Sequence, residues 1–204
     1  MDIGIWSLGL KIMIILTEQN LLEAVEYLKE GKTLVFPTET SYGLGCDASN
    51  QEAVDKIFKI KGRKSDKPLL VVVPSVEMAK KYLVWNEVLE DLSNKYWPGP
   101  LTIVGEYNKK EDLAIGVVAA DNTIAVRVTS FPLTKFLSAE LGRPLVATSA
   151  NLADAGDVYD SKKITVISDI LVNGGELPHN PPTTIVSVIN NNLQILRQGQ
   201  LQIN

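Results

Sequence analysis

Two rhythms of apolar residues alternate along the chain. NLLEAVEYLKEG (20–31) sets Leu21, Leu22, Val25 and Leu28 on one side of a helix, with Asn20 and Glu23 as a capping pair and Gly31 as the stop. SNQEAVDKIFKIKG (49–62) repeats the period, with Ser49 and Glu52 at capping-box spacing and Ala53, Ile57 and Ile60 inward. SVEMAKKYL and NEVLEDLSNKY are two shorter amphipathic helices, ended by WPGP at 97–100. FPLTKFLSAELG is a fifth, with Leu133, Phe136, Leu137 and Leu141 inward. Between them lie short apolar runs: TLVF (33–36), PLLVVV (68–73), LTIV, TIAVRV, PLVA, TTIVSVI and LQILR. PLLVVV does not alternate, as expected of a strand covered on both faces.

Helices and strands alternate from end to end, which predicts an α/β fold: a twisted, mixed sheet with helices packed on it. No repeat, low-complexity tract or linker breaks the pattern, and 204 residues at 45% hydrophobic content suit one domain with a sizeable core. Residues 1–13 read as an N-terminal extension and 14–204 as the domain. MDIGIWSLGLKIMIIL is apolar, but it lacks a basic start and Lys11 interrupts it. It fits neither a signal peptide nor a span of about 20 apolar residues. A cytoplasmic protein without membrane association is expected.

The net charge of −4 changes the picture by exclusion. Nucleic-acid binding through bulk charge wants a basic protein, so any polyanion contact here is local. One cysteine, Cys46, and one histidine, His179, rule out an internal disulfide, a Cys-rich zinc site and a multi-histidine site. There is no G-x-x-x-x-G-K-[ST] loop, and GLG at 43–45 lacks the third glycine of a dinucleotide fingerprint. His179 lies in a PHNPP loop and reads as solvated. Tyr42 and Trp97 read as core or cleft wall.

Four polar clusters follow apolar strands or adjoin them: PTETSYGLG (37–45), KGRKSDK (61–67), TSAN (148–151), and the set formed by NTIAVRV, TTIV and LRQG. Strand ends of α/β sheets are where ligands bind, and hydroxyls, amides and glycines there approach phosphate oxygens closely. Lys56 and Lys59 lie near a helix C-terminus, which the helix dipole alone explains. Lys61, Arg63 and Lys67 read as falling in the loop after it, where no helix rewards them and clustered like charges point to an anion. Arg127 stands in an apolar strand, so it needs either a structural ion pair or a ligand's anion. Thr38 and Ser149 suit turn formation as well as ligand contact. The residues by themselves thus indicate an α/β domain with a polyanion site, and neither a metal cage nor a nucleophile triad.

Taken in order, these segments resemble the YrdC-like family, the L-threonylcarbamoyladenylate synthases, in its single-domain form. The resemblance runs from about residue 14 to 201 and is carried by GKTLVFPTETSYGLGCDA, IFKIKGRKSDKPLLVVV, YWPGPLTIV, TIAVRV, PLVATSANLADAG, TTIVSV and ILRQG. It implies a twisted mixed sheet with a concave basic cleft. It also implies a reaction in which L-threonine, bicarbonate and ATP give L-threonylcarbamoyl-AMP and pyrophosphate. Downstream threonylcarbamoyl-transfer proteins would carry the group to an adenosine beside the tRNA anticodon, with at most a weak tRNA contact by this chain.

Position by position, the resemblance assigns Thr38, Arg127 and Thr183 to the threonine, Arg127 holding its carboxylate. It assigns Lys61 and Arg63, the K-x-R pair, to the ATP phosphates and to catalysis, with Lys67 beside them. Thr123, Ser149 and Asn151 would line the nucleotide site, and Arg197 would close over it. Mg²⁺ would arrive with ATP. Removing Lys61 or Arg63 is then expected to cut turnover about 10²-fold without unfolding the domain. The competing reading is an RNA-binding module of the same fold without catalysis.

Overall fold

The computed structural model describes residues 4–8, 11–62, 68–152 and 155–203. The strands are β1 (Gly4–Leu8), β2 (Lys11–Leu16), β3 (Leu34–Pro37), β4 (Tyr42–Gly45), β5 (Val71–Val73), β6 (Leu101–Glu106), β7 (Thr123–Val128), β8 (Leu145–Val146), β9 (Thr148–Ser149), β10 (Ile170–Val172), β11 (Thr184–Ile189) and β12 (Asn192–Arg197). The helices are α1 (Leu21–Lys29), α2 (Gln51–Lys61), α3 (Val76–Tyr82), α4 (Glu87–Tyr96) and α5 (Pro132–Leu141).

The α/β class is as expected, and the strands divide between two six-stranded mixed sheets. Their orders are β1-β2-β10-β3-β4-β9 and β12-β11-β6-β7-β5-β8. The boundary expected at 13/14 falls inside β2, which pairs in parallel with β10 and antiparallel with β1. The PLVA–TSAN run does not stay in one sheet. β8 pairs with β5 in the second sheet, and β9, beginning two residues later, pairs with β4 in the first. TSAN therefore lies at the seam, where one strand's polar end faces both sheets.

Most helix ends follow local chemistry. Ser75 and Asn86 cap α3 and α4 by accepting from Met78 N and Leu89 N. α5 starts with Pro132 in its first turn and stops at Gly142, whose φ of 70° is the left-handed conformation that a Cβ disfavours. Two caps differ from expectation. Asn50, not Ser49, caps α2 by accepting from Ala53 N at 3.1 Å, because Ser49 is held by Asp47 Oδ1 through both its N–H and its hydroxyl. Asn20 makes no side-chain cap at α1, and its Oδ1 instead takes the Thr17 hydroxyl. Leu22, expected inward, is 65% exposed, because the core face of α1 is Ala24, Val25 and Leu28.

Two apolar clusters hold the layers. The larger includes Val54, Ile57 and Phe58 of α2 with Val71, Ile103 and Val126 of the second sheet. The smaller packs Val25 and Leu28 of α1 and Leu133, Leu137 and Leu141 of α5 against Leu34, Phe36 and Val72. Of the expected strand at 68–73, only Val71–Val73 pairs as a strand. The β11–β12 hairpin turns through Asn190 and Asn191 with φ of 50° and 61°, which a two-residue primed turn demands and asparagine tolerates. His179 is exposed, as expected, and stacks on Tyr159.

Candidate functional site

A cleft of about 500 Å³ opens between the two sheets, bounded by the segment after β3, the residues before β5, the β8–β9 seam, and the cleft faces of β6, β7, β11 and β12. Its hydroxyl-bearing rim includes Thr38, Thr40, Ser41, Thr102, Ser149 and Thr183. Its apolar wall includes Leu69, Val104, Ala125, Ile185 and Leu196. Among the described residues, two cations, Arg127 and Arg197, line it, with one acid, Asp157. Such a lining can hold anionic oxygens on hydroxyls and guanidinium groups while a flat or methyl-bearing group lies on the wall.

Arg127 is 3% exposed. Its Nη1 lies 3.7 Å from Glu39 Oε1, and among the described residues its Nε has no hydrogen-bond partner. Burial pushes the guanidinium's pKa down, the Glu39 carboxylate pulls it back up, and the Arg197 charge pushes it down again. The ion pair is thus present, but it is loose and leaves a buried donor unsatisfied, a costly arrangement unless an anion completes it.

Thr38 closes the turn after β3. Its hydroxyl donates to Ser41 O at 2.7 Å and accepts from Thr40 N and Ser41 N. It is a turn former and a cleft residue at once. Thr183 shares a 3.0 Å hydrogen bond between hydroxyls with Thr102. Arg197 donates to Thr183 O from both Nε and Nη2, at 3.2 and 2.9 Å, and from Nη2 to Thr183 Oγ1. Thus Arg197 and Thr183, expected at opposite tasks, are bonded to each other. A β-bulge aims Arg197: Ile185 pairs with Arg197 but Val186 with Ile195, so Leu196 is the extra residue. Consecutive side chains, Leu196 and Arg197, consequently both line the cleft. Burial lowers the Arg197 pKa and the Asp157 charge raises it.

Lys61, expected as a phosphate grip, is bonded to oxygens of the fold itself. It is 3% exposed. Its ammonium donates to Ser149 O at 2.7 Å, Asn151 O at 3.0 Å and Asn151 Oδ1 at 3.1 Å. Among the described residues these acceptors set Lys61 against the β8–β9 seam, where it braces Ser149 and Asn151. Asn151 completes the brace, accepting from the Ser149 hydroxyl at 2.7 Å and donating to Ala155 O and Gly156 O. Of this group only Ser149 lines the cleft.

Thr123 is not brought to the cleft. It starts β7, and its hydroxyl donates to Asp121 Oδ1 at 2.7 Å. Arg63 and Lys67 lie outside the described residues. Lys56, read as a solvated helix end, donates to Gly31 O at 2.9 Å and so caps α1; Lys59 is exposed. Tyr42 is fully buried and also lines the cleft. Its hydroxyl donates to Gly175 O and accepts from Gly174 N.

Sequence reasoning passed over Glu39, Thr102 and Asp157. Glu39 sits within the PTETSYGLG cluster, and an acid among hydroxyls beside a strand end was the one available signal. Thr102 and Asp157 gave none, since their partners come from distant segments. Among the described residues no group of three or more His, Cys, Asp or Glu side chains could hold a metal ion. Nor is any helix there long and apolar enough to cross a membrane.

Comparison with known proteins agrees with this geometry. Residues 26–199 match the model of the Sua5/YciO/YrdC family, described as "Telomere recombination". A threonylcarbamoyl-AMP synthase of Bacillus subtilis is 33% identical over 189 residues, covering 89% of this chain and 54% of that protein. The chain therefore spans about half the length of that relative. A threonylcarbamoyl-AMP synthase of Vibrio campbellii is 31% identical over 188 residues, covering 89% of this chain and 100% of that protein. Among solved structures, P. abyssi Sua5 complexed with L-threonine superposes with a TM-score of 0.83 at 28% identity, over 92% of this chain and 58% of that one.

Proposed function

The chain belongs to the Sua5/YciO/YrdC family, and from that premise we propose that it condenses L-threonine, bicarbonate and ATP into L-threonylcarbamoyl-AMP, releasing pyrophosphate. The relatives' names favour this synthase over a non-catalytic RNA-binding module. The observation that carries the reading is the buried Arg127 with its unpartnered Nε, in a cleft whose remaining polar lining is mainly hydroxyls and a second arginine. A carboxylate fits the first arginine, and a phosphate chain fits the rest.

In this reading the threonine amine and bicarbonate form a carbamate with loss of water. A carbamate oxygen attacks the α-phosphorus of ATP, the bond to the β-phosphate bridging oxygen breaks, and pyrophosphate leaves. No enzyme nucleophile is required. Thr38, Arg127 and Thr183 orient the threonine, with Arg127 on its carboxylate. Ser149, braced by Lys61 and Asn151, presents its hydroxyl and the seam's backbone to the phosphates. Arg197, with Arg63 and Lys67 from outside the described residues, neutralises phosphate charge. Rate comes from positioning and preorganised charge, and the apolar wall excludes water from a carbamate that water would destroy.

Mg²⁺ suits the nucleotide more than the chain. Among the described residues, Asp157 is the carboxylate that stands with the cleft's hydroxyls and arginines, and such a lining leaves the ion to phosphate oxygens and water. Bound there it would offset phosphate charge. The product passes to threonylcarbamoyl-transfer proteins acting on tRNA in the cytoplasm, with little direct tRNA contact by this chain given its net charge of −4.

Incubation with ATP, labelled bicarbonate and L-threonine tests the reading. Threonine-dependent pyrophosphate and labelled threonylcarbamoyl-AMP are expected. No product, with tight RNA binding instead, overturns it.

A further inference from the structure

Arg127 is the side chain on which the threonine reading turns, and it is not held by the cleft. The cleft lining includes Arg127, Thr38 and Thr40 but not Glu39. Glu39 therefore reaches Arg127 from outside the cleft lining. Its Oε1 lies 3.7 Å from Nη1, and both its carboxylate oxygens take the Thr129 hydroxyl, at 3.3 and 3.4 Å. Thr129 is fully buried and follows β7 directly, and its own Oγ1 accepts from Phe131 N. The backbone of Glu39 is anchored too, since its carbonyl accepts from Asn180 Nδ2 at 2.8 Å. The carboxylate is thus tied to the residue that follows the strand carrying Arg127, and the Glu39 backbone to the loop around Asn180.

We propose that Glu39 is the positioning residue for substrate carboxylate recognition: it fixes the Arg127 guanidinium from the Nη1 side so that the N–H groups at the guanidinium's end are presented to the α-carboxylate of the amino acid. The inference rests on the threonine reading given above. Three observations support it. The pair occupies the Nη1 side and, among the described residues, leaves Nε without a partner. Nε is itself closed to the cleft, so a carboxylate in the cleft would meet the Nη end of the guanidinium, where charge-assisted hydrogen bonds are strong. The charges bear on it too: Glu39 offsets the buried Arg127 cation, and Arg197 adds a positive charge near Arg127 that Asp157 offsets in part.

The placement predicts selective damage. Without the Glu39 charge, Arg127 loses its fixed counter-charge and the guanidinium turns away from the productive orientation. Substrates that use the carboxylate should suffer, and ATP should not.

Calorimetric binding of L-threonine, L-threoninamide and ATP to the wild type and to Glu39→Gln tests this, with thermal melts in parallel. Expected for Glu39→Gln is L-threonine binding weakened about tenfold or more, ATP binding within threefold of wild type, and a collapsed preference for L-threonine over L-threoninamide. Glu39→Asp, which keeps the charge on a shorter arm, should fall between the two and serves if the first variant does not fold. Equal losses for all three ligands would assign Glu39 a merely structural role and overturn the proposal. So would L-threonine binding within twofold of wild type. If the wild type itself binds no L-threonine, the synthase reading fails, and this inference with it.

Discussion

The Arg127 guanidinium stands 3.7 Å from the Glu39 carboxylate, buried to 3% exposure and with its Nε unpartnered among the described residues. The pair is a half-finished site, because a buried cation with a spare donor is stabilised by any anion of the right shape. Replacing the arginine by a residue of similar length tests that. Arg127→Met should weaken L-threonine binding about 30-fold or more, as expected when one partner of a buried charge pair is removed at a cost of about 2–5 kcal/mol. ATP binding should change little. Isothermal calorimetry reads both, and equal losses would place the arginine in the fold rather than in threonine recognition.

Lys61 carries a different expectation from the one its sequence context suggests. With three oxygens on its ammonium, Lys61→Met leaves two carbonyls and one amide oxygen without their donor. A loss of about 3 kcal/mol follows, roughly 6–12 °C in Tm for a domain of this size. Turnover should fall as well, because Ser149 loses its brace. A variant with low activity and an unchanged Tm would return Lys61 to the role of a surface phosphate ligand.

Gly199 lets the chain pass tightly behind Thr183. A Cβ there would lie 2.3 Å from Pro182 O and 2.5 Å from Thr183 O. Gly199→Ala therefore pushes the very carbonyl that holds Arg197. A Tm lower by about 2–12 °C is expected from overpacking of about 1–3 kcal/mol, together with a raised KM for ATP. An unchanged KM would show that Arg197 reaches the nucleotide independently of Thr183.

Alkaline pH should unfold the domain partly through Tyr82. Burial, then the charges of Glu111, Tyr107 and Asp47, push its pKa from 10.0 up to about 12. The folded state holds this proton more tightly than the unfolded state does. The contribution is therefore complete below the unfolded value and is lost as pH rises through the folded one. Urea unfolding at about pH 9 and about pH 11 should show a smaller drop for Tyr82→Phe than for the wild type. Equal drops would assign the alkaline loss to other groups, such as the buried Cys46 thiol, whose pKa is also pushed up by burial.

Much of the local structure was legible in advance. Helices α1 to α5 follow from apolar spacing, and the breaks at Gly31 and WPGP from backbone chemistry. These are short-range effects, decided within a few residues. Asn50 displacing Ser49 as a cap shows the limit of that range, because Asp47 outcompetes the helix for the serine.

The site was legible as a set of segments. Polar residues adjoining apolar strands marked Thr38, Arg127, Ser149, Thr183 and Arg197, and the structure brings all five to one cleft. Their partnerships were not legible. Glu39 with Arg127, Lys61 with Ser149 and Asn151, and Arg197 with Thr183 each join segments that meet only in the folded chain. The same holds for Thr123, which shares a strand with Arg127 but stands clear of the cleft.

The sequence by itself determined the α/β class, the five helices, the family, and the main segments from which the site is built, because periodicity, turn chemistry and motif order are local properties. Tertiary structure alone decided the split into two sheets at TSAN, the bulge that turns Arg197 into the cleft, and which cations face ligand or brace the fold. The physical reason is burial. Whether a lysine or arginine binds a substrate or a carbonyl depends on which distant oxygens share its water-poor surroundings, and only the closed fold places them there.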